Sequence, residues 1–423
     1  MKFRNWVIVL AMGLCSIGRA TADEAEDRAL ALIEKLGGQA LREGGKPDKP
    51  VVQVTLNTGV TDADLKDLVA LKELNWLNLI KTEVTDAGLK ELAQLKQLTA
   101  LNLSETKVTD AGFKELAQLK GLIYLSLDRT EVTGKGIKEL AQLKQLKTLL
   151  LGSTKVTDAE LKEVAQLKEL TLLNLDETQV TDVGLKELIP LKKLISLRLS
   201  GTKVTDAGLK EIAQLAKLTM LYLDRTEVTG AGLKELAPLK ELTELDLTRT
   251  KVTDAGLKEI VQLKGLSAHN LVLNLNNTEV TDVGLKQLAQ LRGLIHLHLS
   301  ETKVTDAGLK EIAPLQVLGL LDLSGTQVTD AGLKELAPLK GLASLYLIDT
   351  QVTDAGLKEL VPLKALTILG LGGTKVSDAG LKQLASFTEL TILYLKGSEV
   401  TNDGVAELRK ALPKCTIDWQ PSR

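Results

Sequence analysis

The sequence predicts an α/β solenoid, one array of stacked strand–turn–helix–turn units, and three observations predict it. A period of about 24 residues runs through most of the chain, and self-similarity at that length marks a repeat architecture. Within each period the hydrophobic spacing switches from alternation to a helical pattern. A lone unit also has too few apolar side chains to offset the ordering entropy of its own backbone, so units must fold by stacking. The length of 423 residues would otherwise suggest two or three domains.

The first element is residues 1–22. Lys2 and Arg4 precede an apolar run from Trp6 to Ile17, followed by Ala20-Thr21-Ala22 and then Asp23. This is the pattern of a secretory signal peptide with an A-x-A cleavage site, and the run is too short to span a bilayer. The mature chain is expected to begin near Asp23, in the periplasm or outside a bacterial cell. Cys15 falls inside the signal, in the context Met12-Gly13-Leu14, a poor match to a lipid-attachment box. Cys415 is then left unpaired, so stability rests on packing rather than on an internal disulfide. No later segment reads as a membrane span. Lys plus Arg number 53 against 55 Asp plus Glu, a net charge of -2, which selects no polyanion and makes nucleic acid an unfavoured partner.

Residues 23–50 read as an N-terminal helical cap. Ala29, Leu30, Leu32, Ile33 and Leu36 fall at helical spacing before Gly37-Gly38. The array occupies 51–404 as about fifteen units. The valine that precedes Thr-Asp, or a close variant such as Thr-Gly, recurs at constant spacing as Val60, Val84, Val108, Val132, Val156, Val180, Val204, Val228 and Val252. It takes one longer step to Val280, then resumes the period at Val304, Val328, Val352, Val376 and Val400. One unit runs from Leu98 to Leu119. Leu98, Leu101 and Leu103 head an alternating strand, while Phe113, Leu116, Ala117 and Leu119 follow Thr109-Asp110 as the apolar side of a short helix. Thr109 or Asp110 can cap the first N–H groups, and the carboxylate suits the positive end of the helix dipole. In five units a proline (Pro190, Pro238, Pro314, Pro338, Pro362) ends the helix. Residues 405–423 form a C-terminal cap, where Leu408, Leu412 and a last strand around Ile417 close the core.

These units resemble the leucine-rich-repeat superfamily, whose frame is L-x-x-L-x-L-x-x-N-x-L. The match covers roughly residues 51 to 417 and looks most like the bacterial 24-residue type with V-T-D-A-G-L-K-E-L, similar to GALA-type and F-box-linked arrays. The resemblance implies a right-handed horseshoe with a parallel concave sheet and convex short helices. Thr82, Thr106, Thr130 and their successors replace the usual Asn, so the ladder tying the turns together is expected to be hydroxyl-based. Only the segment 23–50 separates the signal from the first strand, too short for an F-box, so a ubiquitin-ligase adaptor role is not carried over.

Outward strand positions vary between units while the inward ones stay Leu, which points to the concave face as the working surface. Fourteen or fifteen strands at ~4.8 Å span roughly 70 Å, enough for a protein or polymer. Trp76, Tyr124, Tyr222, Tyr346 and Tyr394 fall at such positions, either as hot spots or because Tyr suits strands and cannot enter a Leu core unpartnered. Arg198, Asp224, Arg225, Asp246 and Arg249 add charge around Tyr222; solvated cross-strand ion pairs are the plainer account. His296 and His298 share one strand face, with Asn274 and Asp322 flanking His298. Such an H-x-H can chelate a metal with Asp322, but solvated histidines in a contact surface are commoner and no metal or other cofactor is assigned. The four extra residues near Ser267 to Asn270, with His269, are either an insertion scar or a lip beside a site. The recurring Lys-Glu of the convex side reads as a solvated surface. No nucleophile elbow, phosphate loop, H-E-x-x-H or C-x-x-C occurs, so no catalytic role is expected. The leading expectation is a non-enzymatic protein-binding scaffold. A carbohydrate or cell-wall binder is the rival, disfavoured by the scatter of aromatics along the sequence, and a passive envelope protein is the third reading.

Overall fold

The computed structural model describes residues 24–262 and 270–420. The expected signal peptide and residues 267–269 of the insertion, His269 included, lie outside the described residues.

Among the described residues the chain forms one sheet of 17 strands, with neighbours in chain order. All pairings from the strand Val51–Thr55 (β2) to the strand Thr416–Asp418 are parallel. Most strands are only three residues long, a buried Leu between two residues of the concave face. The cap at the N-terminal end is more than helical. The helix Glu24–Lys35 (α1) buries Ala29 and Ile33, and the strand Gln39–Arg42 (β1) then pairs antiparallel with β2. That strand covers the edge that β2 would otherwise present.

The core is a set of stacked columns. In the unit beginning at Leu98, the side chains of Leu98, Leu101, Leu103, Val108, Phe113, Leu116 and Leu119 are no more than 1 % exposed. Proline alters how some of the short helices end. Where Pro190, Pro338 or Pro362 follows, the α-turn tightens into a 3-10 turn (Lys186–Leu188, Lys334–Leu336, Lys358–Leu360). Proline supplies no N–H and its ring crowds the carbonyl four residues back.

The recurring threonines do not tie neighbouring turns together as the sequence suggested. Each hydroxyl donates inside its own unit, to the Leu carbonyl three residues earlier: Thr82 to Leu79 at 2.8 Å, Thr106 to Leu103 at 2.7 Å, Thr278 to Leu275 at 2.6 Å. A local bond of this length satisfies a buried hydroxyl without needing a partner in the next unit. The side chains that staple units are the Thr-Asp pair at the helix start. Thr109 Oγ1 caps its helix by accepting from the Ala111 N–H. Its own N–H and hydroxyl both donate to the Asp86 carboxylate of the preceding unit, at 2.8 and 2.6 Å. The same two bonds link Asp282 to Thr305 and Asp378 to Thr401.

This staple explains the glycine two residues after each Asp. A Cβ on Gly308 would lie 2.4 Å from Asp282 Oδ1. Where no Asp arrives from the preceding unit, the glycine is replaced by an acid that does the work locally. Asp64 accepts from Thr61 in the first unit. Glu160 accepts from Thr157 where the preceding unit carries Gly134. At Gly230 neither remedy is present: Gly256 faces it, and Thr253 has no side-chain cap. This unstapled seam falls just before the unit that carries the longer step.

Each turn that leaves a strand holds a residue in the left-handed region. Ten of these are not glycine, among them Glu105 (φ 57°), Arg129 (φ 54°), Arg225 (φ 56°) and Arg249 (φ 55°). Such a conformation costs an L-residue about 1–2 kcal/mol.

Candidate functional site

Register sets the geometry of the concave face. The residues flanking the central Leu of each strand lie on the concave side, most of them at least partly exposed, and equivalent residues on successive strands lie side by side ~4.8 Å apart. Trp76, Ala100 and Tyr124 are register partners on three successive strands. The Trp76 and Tyr124 rings lean together across the small Ala100, with centroids 5.7 Å apart and planes 27° from parallel. Tyr346, Gly370 and Tyr394 repeat the device, with ring centroids 6.3 Å apart at 32°. The aromatics that look scattered along the sequence are thus gathered into two pairs, one near each end of the array. Scatter therefore no longer counts against a glycan ligand.

The fifth aromatic, Tyr222, anchors the charged centre. The Arg198 guanidinium lies 4.7 Å from its ring centroid and makes an ion pair with Asp176 at 2.6 Å. A cation held over a ring face in this way gains about 0.5–1 kcal/mol or more when partly desolvated. The Tyr222 hydroxyl points toward Met220 Sδ at 3.8 Å. Burial first, and then the nearby Glu244 carboxylate, push its pKa up to about 12. Arg225 lies on the adjoining turn and pairs with Glu177 at 3.0 Å and Asp224 at 3.2 Å; Asp224 in turn accepts from the Ser200 hydroxyl. Asp246 accepts from the Thr248 N–H at 2.9 Å and from Asn274 Nδ2 at 3.2 Å, and burial raises its pKa. Arg249 stands apart from this group, with no ion pair among the described residues.

Asn274, His298 and Asp322 are register partners as the sequence predicted. His298 Nδ1 lies 4.0 Å from Asp322 Oδ2, while Asp322 accepts from the Ser324 N–H and hydroxyl at 3.0 and 2.7 Å. Burial, then the neighbouring His298, lowers the His296 pKa. Among the described residues no three His, Cys, Asp or Glu side chains converge as a metal site.

A polar cavity of about 330 Å³ opens where the central strands meet their turns, lined by Asp128, Gly152, Asp176, Glu177, Arg198 and Arg225 among others. Asp128 accepts from the Gly152 N–H at 2.6 Å and has no ion-pair partner among the described residues; burial raises its pKa. Asp128, Asp176, Glu177 and Glu244 were not singled out from sequence. Their signal was present: each occupies a concave or turn position of the repeat frame, readable once units are aligned. A second pattern was also missed. Glu83, Lys107, Glu131 and Lys155 alternate sign at one turn position of successive units, and Lys107 pairs with Glu83 and Lys155 with Glu131. These pairs are exposed and so contribute little to stability.

The model of a leucine-rich repeat matches residues 95–117, 191–213, 241–261, 292–313 and 318–337. No curated protein matches the sequence. Among solved structures, a leucine-rich-repeat protein of Leptospira interrogans is 29 % identical, with a TM-score of 0.59 over 87 % of this chain and 89 % of that one. An internalin (InlF) of Listeria monocytogenes is 20 % identical, with a TM-score of 0.50 over 94 % of this chain and 95 % of that one, a likeness of fold alone. The period, the open parallel sheet with its alternating short helices, and the matched repeats make this array a leucine-rich-repeat solenoid.

Proposed function

We propose that this chain is a non-enzymatic recognition protein that binds a protein partner across its concave face. The observation that supports this is the central surface. The half-buried Arg198, Tyr222 and Asp224 and the exposed Arg225 form one group of cations, ring and carboxylate, joined through Asp176 and Ser200. Arg and Tyr held in place by neighbours are the side chains that most often dominate protein interfaces, because little freedom remains to be lost on binding. The flanking Asp246, His296, His298 and Asp322 extend a mixed-charge stripe suited to a partner with complementary charges. The protein acts outside the cytoplasm, a reading supported by the signal-like residues 1–22; among the described residues no helix is long and apolar enough to cross a membrane.

The test uses mature protein as bait in a bacterial envelope extract, with an Arg198→Ala/Tyr222→Ala variant of matched thermal stability beside it. The expected result is a protein retained by the wild type whose affinity falls by at least tenfold in the variant. Equal retention by both, or no protein retained by the wild type, contradicts the proposal.

A further inference from the structure

The N-terminal aromatic pair has surroundings unlike the charged centre. Across the five strands from Val51–Thr55 to Thr148–Leu150, the two concave register positions carry no charged side chain. Beside the Trp76 and Tyr124 rings they carry amides and hydroxyls instead. Asn78 and Asn102 lie two residues along the strand from Trp76 and Ala100, on the same face. Their orientations are fixed by their own turns. Asn78 Oδ1 accepts from the Ile80 N–H at 3.1 Å. Asn102 Oδ1 accepts from the Ser104 N–H at 2.9 Å and the Ser104 hydroxyl at 2.6 Å. With both oxygens committed to the protein, both Nδ2 groups are left as donors with no protein acceptor among the described residues. They are ~4.8 Å apart on adjacent strands and ~7 Å along the strand from the ring pair.

We infer that this surface is a binding site for a neutral oligosaccharide, separate from the protein-binding centre. A pyranose presents an apolar C–H face and a rim of hydroxyls. The two rings stack on each other, with centroids 5.7 Å apart, which holds the exposed Trp76 ring in place to receive the C–H face. The Asn78 and Asn102 amides are placed to donate to rim hydroxyls, and the exposed Gln53 adds a further polar partner. Trp76 is 37 % exposed, so its ring is accessible without any rearrangement. Neutrality follows because these positions carry no charged side chain and the nearest cations, Lys81 and Arg129 on the adjoining turns, are both paired with Glu105, so an acidic sugar would lose its hydration without gaining a free counter-charge. The site lies four strands, ~19 Å, from Tyr222, so occupation of either region leaves the other open.

The test is titration of the folded mature protein with cellotetraose, chitotetraose and mannotetraose, with oligogalacturonate as the anionic probe. Tryptophan fluorescence and calorimetry provide the readouts. At least one neutral oligosaccharide is expected to bind and to perturb tryptophan emission, while oligogalacturonate does not. Trp76→Ala and Tyr124→Ala should each weaken binding about tenfold or more. Asn102→Ala, which leaves the rings in place, should weaken it several-fold, and Tyr394→Ala should have no effect. Failure of every neutral probe at millimolar concentration, binding that survives both ring substitutions, or a preference for the anionic probe overturns the inference. Because no central residue is changed, these outcomes are independent of whether Arg198 and Tyr222 hold a protein.

Discussion

The two aromatic pairs are built by one rule and set in opposite surroundings. In each, rings two strands apart meet across a residue too small to separate them, Ala100 at one end and Gly370 at the other. Around Trp76 and Tyr124 stand Asn78 and Asn102. Around Tyr346 and Tyr394 stand Ile348, Ile368 and Ile392, with bare backbone at Gly370 and Gly372 and the carboxylates of Asp322 and Asp418 at the outer register positions. A solenoid can thus repeat a packing solution while changing the chemistry on either side of it, because the backbone of each unit stacks on its immediate neighbours and side chains reach at most a unit or so further. The amide-flanked pair suits a polyhydroxylated ring, whereas the second pair sets its isoleucines between two carboxylates.

The comparison depends on both ends belonging to one continuous array, and the largest predicted effect concerns that continuity. Asp282→Ala removes two bonds to Thr305 and should cost about 1.5–3 kcal/mol in urea unfolding. Thr253→Ala, at the seam without a carboxylate, should cost less than about 0.5 kcal/mol, the range of surface substitutions away from specific features. Equal costs would show that the staple contributes nothing.

Next in size is a way to break one pair and not the other. A Cβ on Gly370 would meet Tyr346 Cδ1 at 2.9 Å and Ile348 Cγ1 at 3.1 Å. Gly370→Ala should therefore destabilise by about 1–2 kcal/mol through overpacking. Ala100→Gly trims a methyl under the other pair and should cost about 0.5–1 kcal/mol through backbone entropy. Chemical denaturation of both variants checks the order.

Acid should act on the C-terminal staple. Hydrogen bonds from the Thr401 hydroxyl and N–H hold the Asp378 pKa below its ordinary value of 3.8. A depressed aspartate contributes its stabilisation above the unfolded-state pKa and loses it as pH falls through the folded-state pKa. The C-terminal helix Asn402–Ala411 is therefore expected to loosen below about pH 3.8, seen as faster exchange of the Thr401 amide. In Asp378→Asn that pH step should vanish.

The smallest effect tests the strained turns between the two ends. Arg249 sits at φ 55° with no ion pair among the described residues, so Arg249→Gly should stabilise by about 0.5–1 kcal/mol. Arg225→Gly relieves the same strain but breaks the contacts to Glu177 and Asp224, and should yield no net gain by thermal melting.

Much of this fold is legible in the sequence because the period is fixed: Val60 through Val400 locate every unit, and each alternating run around a central Leu gives the strand and its exposed face. The register partners of His298 follow from the same count. What the count cannot supply is where side chains reach. Thr106 reads equally well as a link between turns or as a local bond, and only the distance to Leu103 O decides it. Trp76 and Tyr124 stand two repeats apart in the chain and look isolated until two facts are combined: successive strands are adjacent, and residue 100 is an alanine. The antiparallel strand β1 is hidden for a different reason. Its residues, Gln39–Arg42, have no repeat to align with and only weak strand preference.

The most direct test of concave-face recognition is footprinting of the complex formed with the retained protein, using carboxylate and tyrosine labelling with mass spectrometry. The account predicts that Tyr222, Asp224 and Asp246 lose reactivity on binding while Glu115 and Glu235 of the convex helices keep theirs. Protection confined to the convex glutamates, with the concave residues unchanged, would contradict it.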